Sequence, residues 1–370
     1  MAGVYVHIPF CARRCIYCGF FSTVRQEEAA RYVAALCREL ELRRDYLAGE
    51  PVRTVYFGGG TPSRLRPDQI GSVMSAIRSA LGLDSLEELT IECNPDDITP
   101  QYVSALKALG VNRISMGVQT FNDDLLHFMR RRHTAAQALE AVRICRESGI
   151  TNISIDLMYG LPGQTLEMFR ADLETALSAC VQHISSYCLS YEDGTPLQTL
   201  KEERKLQPAD DELCLQMFTL MCQTLRDGGF EHYEISNFCR PGYHSRHNGS
   251  YWDGTPYLGL GAAAHSYNKT SRQWSPSNLD TYLDSIEKGT PAFDKEILSE
   301  QDRFNEKVML SLRTSRGLNL QTLPATQQQS LLASAKPFIE RGQLIRDHST
   351  IRLSESALFI SDTIISTLFQ

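Results

Sequence analysis

"VYVHIPFCARRCIYCGF", residues 4–20, runs a strand-like stretch straight into three cysteines, Cys11, Cys15 and Cys18. Thiolates at spacings of four and three are soft ligands suited to zinc or to an iron–sulfur cluster. A structural zinc ion takes four protein ligands. His7 is the nearby candidate for a fourth, yet it sits inside the strand-like run, and no second cysteine pair follows closely. A cluster held by three cysteines instead leaves one iron open to an exchangeable ligand. Ligand-binding residues immediately past a strand end are also a statement about fold, and the rest of the chain repeats it.

Strand-like runs occupy 4–8, 52–59, 86–93, 113–119, 152–160 and 183–190, rich in Ile, Val and Tyr. Between and after them lie helical patterns near 26–47, 67–81, 100–109, 123–147, 165–180 and 210–228. Six strand-then-helix units in order predict an α/β fold with a parallel sheet and helices outside it. Six are fewer than a closed barrel's eight, so the expectation is a partial, open (β/α)6 barrel. Sites in such sheets gather past the C-terminal strand ends. Those ends carry the cysteines, then "GGGT" (58–61), "ECNPDD" (92–97), "GVQTF" (117–121) and "DLMYGLPGQT" (156–165). Polar and glycine-rich residues at successive strand ends point to one shared site.

Beyond residue 230 the pattern changes. Residues 231–288 are rich in Gly, aromatics and His and read as a β-rich extension of strands and loops added to the 1–230 barrel core. Residues 289–370 read as a small, mostly helical, winged-helix-like domain ending in a strand pair around "LIRDHSTIRLS" (344–354).

With 37 basic and 44 acidic side chains the net charge is −7, which works against a nucleic-acid partner while permitting a local basic pocket for a carboxylated small molecule. No apolar run approaches the roughly 18 residues of a membrane span, and the N-terminus lacks the regions of a signal peptide. Eleven cysteines, eight of them scattered, fit a reducing compartment, so the expected location is cytoplasmic. The scattered ones, Cys93, Cys145 and Cys188 among them, read as buried small hydrophobes.

The pattern C-x3-C-x2-C, with Tyr17 before the last cysteine, resembles the radical S-adenosylmethionine superfamily. That resemblance implies a [4Fe–4S] cluster on Cys11, Cys15 and Cys18, with S-adenosylmethionine chelating the open iron as the missing fourth ligand. It further implies that Tyr5, Gly59, Gly60, Thr61, Glu92, Gln119, Asp156 and Arg131 surround the cosubstrate. Arg131 would pair with its carboxylate, although Arg130 and Arg132 beside it leave the register open. The longer strings "YVHIPFC" (5–11), "YFGGGTPS" (56–63), "SMGVQTF" (115–121) and "DLMYGLPGQT" (156–165) resemble the branch of oxygen-independent coproporphyrinogen III oxidase and its relatives, from residue 4 to about 268.

Within that branch three features are similar to the heme-chaperone group. Phe20 stands where the oxidase carries a further cysteine, only ten residues precede Cys11, and "HNGSYW" (247–252) matches the group's H-N-x-x-Y-W motif. Gly19 and Arg130 depart from the usual pattern. The resemblance implies heme as ligand, with His247 its axial ligand, a heme-acceptor protein such as a membrane respiratory enzyme as partner, and an electron donor for the cluster. The alternative is the oxidase itself, decarboxylating propionates to vinyls. On chemistry alone His247 suits heme iron, with Tyr251 and Trp252 offering flat apolar contact, or else ties a loop to the barrel. His244 is an alternative ligand, and His265 reads as part of a tight turn.

Overall fold

The computed structural model describes all residues 1–370, and its centre is a run of six parallel strands in sequence order. They are β1 (Ala2–Ile8), β2 (Val52–Gly59), β3 (Glu88–Cys93), β4 (Arg113–Gln119), β5 (Asn152–Tyr159) and β6 (His183–Cys188). Their outward residues are apolar and fully buried against helices: Val4, Val6 and Ile8, then Val55 and Phe57, Leu89 and Ile91, Ile114 and Met116, Ile153 and Ile155, and Ile184. The residues between them point inward and are mostly polar. A parallel sheet covered on both faces ordinarily reads as continuous apolar runs. Here the period of two shows that the inner face is reserved for polar chemistry.

The covering helices are α1 (Ala29–Leu42), α2 (Pro67–Leu81), α3 (Pro100–Ala108), α4 (Asp123–Phe128), α5 (Ala135–Glu147), α6 (Leu166–Ser178), α7 (Pro196–Glu202) and α8 (Asp211–Asp227). The helical pattern over 123–147 is therefore two helices. Arg130 adopts a left-handed φ of 60°, and Thr134 starts α5 with a capping box to Gln137. The signature T-A-A-Q is legible in the sequence, since a hydroxyl followed three residues later by Gln marks a helix start.

The extension continues the same sheet. β7 (Glu231–Glu234) and β8 (Asn237–Cys239) add antiparallel strands beside β6, and β9 (Tyr257–Leu260) lies parallel to β1. β10 (His265–Tyr267), β11 (Ser271–Trp274) and β12 (Asp294–Ile297) complete the twelve strands. Between β8 and β9, the "HNGSYW" segment is not a loop but part of helix α9 (Arg246–Trp252). His265 lies in β10 rather than in a turn. Helix α10 (Leu279–Glu287) packs on α1, and β12 shows that residues beyond 288 still belong to the large sheet.

The C-terminal segment has its own core, built from Phe304, Val308, Leu312, Leu331, Ile351 and Ile365 among others. It consists of α11 (Glu300–Leu312), β13 (Leu318–Asn319), α12 (Ala325–Glu340), β14 (Leu344–Asp347), β15 (Thr350–Leu353) and α13 (Ser361–Thr367). The chain ends on a helix and not on the strand pair, because Ile364 and Ile365 have a buried place in that core. No helix is long and apolar enough to cross a membrane.

Candidate functional site

The C-terminal strand ends open into a cavity of about 680 Å³, within the ~300–1,000 Å³ range of small-molecule sites. Cys11, Cys15 and Cys18 line it on a loop held at several points. Cys11 N–H donates to Thr23 O at 2.8 Å and Leu197 N–H donates to Ile16 O at 3.0 Å. Ile16, between the cysteines, is buried with Leu125, Leu126, Met129, Met158 and Leu161. An apolar anchor thus fixes the loop while the thiols face the cavity. All three are free, and burial pushes the thiols of Cys11 and Cys18 above their ordinary range. Thr61 Oγ1 donates to Cys11 Sγ at 3.4 Å, and Arg131 Nη1 donates to Cys15 Sγ at 3.4 Å.

The break between α4 and α5 is what delivers that arginine. Arg131 Nη2 also donates to Asn94 Oδ1 at 2.8 Å and to Gly117 O at 2.6 Å. Arg132 turns instead to Asp96 and Asp97, at 2.8 and 3.1 Å, and Arg130 is exposed at the rim. Of the three neighbouring arginines, Arg131 is the one set against the cysteines.

Gly59 and Gly60 form the opposite wall. At φ +111° a Cβ on Gly59 would stand 2.5 Å from His7 Cε1, and one on Gly60 would stand 2.8 Å from the Pro9 carbonyl carbon. The glycines bring bare backbone to the cavity wall as a cradle, seated so closely over His7 and Pro9 that a Cβ would collide with them. Gly59 N–H donates to Glu92 Oε2 at 3.0 Å, and Tyr56 OH donates to Glu92 Oε1 at 2.8 Å. Burial nevertheless raises Glu92 to about 7, with Asp156 adding to the rise. Asp156 itself is raised to about 6, again chiefly by burial. Gln119 ends β4 at a bulge with φ 73°. The residues after it are pinned by Asp172, which accepts from Thr120 Oγ1 at 2.7 Å and from Phe121 N–H at 2.6 Å.

The cavity thus gathers Cys11, Cys15, Cys18, Gly59, Gly60, Thr61, Glu92, Gln119, Arg131 and Asp156. Sequence reasoning missed Ser115, Gly117, Asn94, Tyr187 and Glu192, which also line it. The signal for Ser115, Gly117 and Tyr187 was the inward position in a period-two strand. Cys188 is exposed in the cavity wall, and Cys180 is exposed as well, so neither is the buried hydrophobe expected. β6 reaches the rim at Cys188, where Cys214 of α8 packs beside it without closing it off from solvent.

His7 is not a fourth metal ligand. Its Nε2 lies 3.0 Å from Phe21 O and its Nδ1 3.1 Å from Tyr5 OH, and burial lowers it to about 4. Nor do the cysteines make a ready single-ion cage, since the trio of donor side chains that closes to within 4.8 Å lies elsewhere, at Glu231, Cys239 and His244. Three wider-set thiols, an arginine and a glycine cradle are a donor set for a multi-metal cluster with an organic ligand beside it.

Two of the residues implied by resemblance are not in the cavity. Tyr5 lies one layer deeper, its ring centroid 6.2 Å from that of Tyr56. His247 lies deeper still, at the N-terminal ends of the strands, and is completely buried. Its Nδ1 is 2.8 Å from Thr54 Oγ1 and its Nε2 is 2.9 Å from Tyr251 OH. Both ring nitrogens are engaged, and burial lowers the group to about 3. Glu88 accepts from Arg246 N–H at 2.8 Å and from His247 N–H at 3.0 Å, which docks α9 across the bottom of the barrel. A readily accessible axial ligand there is thus corrected by the structure: His247 is a plug residue in this conformation. His244 is partly exposed beside it.

Comparison with known proteins agrees with this architecture. Residues 5–176 match the family described as the radical SAM superfamily, and residues 298–360 match the HemN C-terminal domain. The heme chaperone HemW of Lactococcus lactis is 36% identical over 320 residues, covering 85% of this chain and 82% of its own. The Bacillus subtilis heme chaperone HemW is 34% identical over 372 residues, 98% of each. The mitochondrial radical S-adenosyl methionine domain-containing protein 1 of Bos taurus is 33% identical, covering 100% of this chain and 87% of its own. Among solved structures, coproporphyrinogen III oxidase (HemN) from Escherichia coli superposes with a TM-score of 0.86 at 24% identity over 100% of this chain and 90% of that one, a likeness of fold.

Proposed function

The chain belongs to the heme chaperone HemW family within the radical SAM superfamily, and from that membership we propose that it binds heme, carries a [4Fe–4S] cluster with exchangeable S-adenosylmethionine, and passes the heme to an acceptor protein. The observation that supports the cofactor half most directly is the convergence of three free thiols, a half-buried arginine and a glycine cradle on one cavity. Cys11, Cys15 and Cys18 would hold the cluster, which when bound with its cosubstrate supplies one-electron chemistry.

The residues divide the remaining work. Arg131 places a cation beside Cys15, where it offsets thiolate charge and can meet a carboxylate. Gly59, Gly60 and Thr61 offer backbone to the methionine end of the cosubstrate, and Glu92, Gln119 and Asp156 offer hydrogen-bonding groups to its ribose and adenine. Ile16 and its apolar neighbours keep water from the underside of the cysteine loop. Arg13, Arg14 and Arg130 at the rim suit anionic groups entering from solvent. Phe20, 69% exposed, offers a flat apolar face beside them.

Heme ligation by His247 would require α9 to leave its berth, because the imidazole is fully buried with Nδ1 against Thr54 of β2, and Tyr251 on the same helix would also have to release Nε2. We therefore read the chaperone as one that opens to take or release heme, in the cytoplasm, with an electron donor serving the cluster and a heme-requiring protein receiving the cargo. The test is transfer. Hemin-loaded protein is mixed with the apo form of a b-type heme protein, and the Soret band is followed. Faster appearance of the holo-acceptor than from free hemin in buffer supports the chaperone. Transfer no faster than that refutes it, and vinyl products from coproporphyrinogen III under reducing conditions with S-adenosylmethionine would favour the oxidase.

A further inference from the structure

At the bottom edge of the sheet, away from the cysteine cavity, three donor side chains of different chemistry meet. Glu231 and Cys239 are directly opposite each other in the antiparallel β7–β8 pair, so both project from the same face of the sheet. The chain then turns through Arg240–Tyr243, with Tyr243 N–H donating to Arg240 O at 3.0 Å and Gly242 at φ 85°. That turn returns His244 over the pair. The ring of Tyr233 stands edge-on to the imidazole at 4.8 Å and limits its rotation.

Carboxylate oxygen, thiol sulfur and imidazole nitrogen all lie within 4.8 Å of one another. His244 Nε2 and Glu231 Oε2 are 3.3 Å apart. Two ligands about 2.0 Å from a tetrahedral ion are separated by about 3.3 Å, and sulfur lies about 3.6 Å from either, given ordinary zinc bond lengths. The oxygen–nitrogen pair is therefore already at ligand spacing, and the sulfur needs to close by about 1.2 Å at most. We propose that Glu231, Cys239 and His244 form a site for a borderline divalent cation of the zinc class, with water as the fourth ligand.

One thiol with one imidazole and one carboxylate selects such an ion over magnesium or calcium, which take oxygen ligands. Binding forms a metal–sulfur bond and releases the Cys239 proton to water, with no change of oxidation state. Burial holds that proton tightly in the free protein, pushing the thiol up to about 12. His244 immediately precedes Ser245, the N-cap of α9. An occupied site would tie the start of that helix to the sheet edge.

The experiment is an anaerobic titration of Co²⁺ into the cluster-loaded full chain, reading the thiolate-to-cobalt charge-transfer band. The expected result is one equivalent in the unaltered protein, lost in Cys239→Ala and weakened more than tenfold in His244→Ala. The cavity cysteines are present in all three proteins, so the differences report this site alone. His244 is partly exposed, so its variant keeps the test valid where Cys239→Ala does not fold. Absence of a bound equivalent, or the same affinity and band in His244→Ala as in the unaltered chain, overturns the assignment and leaves an ordinary surface ion pair beside a buried thiol.

Discussion

Replacing Glu92 by Gln tests whether the barrel interior is as hostile to charge as its burial implies. Glu92 carries a carboxyl raised from 4.5 to about 7 by burial, with Asp156 adding to it. A carboxyl raised on folding is bound to a proton more often in the folded state than in the unfolded one between those two pH values. Stability therefore falls as pH rises from about 4.5 to about 7 and is level above. At about 1.4 kcal/mol for each tenfold in proton concentration, the swing is about 3 kcal/mol at most, because cavity water solvates one side of the group. Gln can keep both partners. Its oxygen accepts from Gly59 N–H, and its amide donates to the Tyr56 hydroxyl, which accepts as readily as it donates. The pH-independent cost is then small, under about 1 kcal/mol. Urea midpoints of the apo-protein and of Glu92→Gln, followed by far-UV circular dichroism from pH 4.5 to 8, should diverge in favour of the variant as pH rises to about 7 and hold a constant gap above it. A stability difference that stays flat within about 0.5 kcal/mol would refute the reasoning, since groups distant from Glu92 contribute equally to both proteins, and relief of the repulsion on Asp156 adds to the divergence with the same sign.

Gly59→Ala should cost about 2–4 kcal/mol, combining a left-handed backbone with a Cβ set 2.5 Å from His7 Cε1. Gly163→Ala, at φ +76° with nothing within 4 Å, isolates the backbone part at about 1 kcal/mol; equal losses in the two variants, by denaturant melts, would remove the clash from the account. Cys15→Ala should abolish the brown absorbance of the reconstituted cluster while circular dichroism stays native, and full cluster content would sink the ligand assignment. His247→Ala should lower stability by about 1–3 kcal/mol, because Thr54 and Tyr251 lose their partner. It should also weaken heme binding and change the Soret band, and an unchanged hemin titration would end its axial role.

Much of the barrel was legible because two periodicities agree. Strands of alternating outward apolar residues, each followed by an amphipathic helix, leave few topologies, and parallel β1–β6 in order is the simplest of them. The top of the site was legible because strand ends are adjacent in such a sheet whatever their separation in sequence, so Cys11, Gly59, Glu92, Gln119 and Asp156 had to converge. The break at Arg130 was overlooked because apolar spacing persists through it; only the cap at Thr134 gave it away. The position of His247 could not be read at all. "HNGSYW" contains Gly, aromatics and Asn, which suit loops, and its helical form depends on Glu88, a residue about 160 positions earlier that satisfies the first N–H groups of α9. Local composition carries no trace of so distant a partner.

The two ends of the barrel are not independent pieces of structure. Tyr56 reaches up to Glu92 in the cavity wall through its hydroxyl, and its ring lies against His247 below, with centroids 5.1 Å apart and planes at 25°. Tyr5 stacks beside them, and its hydroxyl meets His7, whose ring occupies the space that the missing Cβ of Gly59 leaves open. A single layer of three aromatic side chains thus separates the glycine cradle from the plug helix. Withdrawing α9 would remove the partner that packs under Tyr56 and so loosen the support of Glu92. A ligand that fixes Glu92 and Gly59 would, by the same contacts, favour the docked plug. If heme engages His247 with α9 displaced, occupancy of the cavity and heme binding must oppose each other. The affinity for hemin should then fall when S-adenosylmethionine saturates the cluster-loaded protein, and an affinity that rises or stays constant would show that the aromatic layer does not couple the two ends.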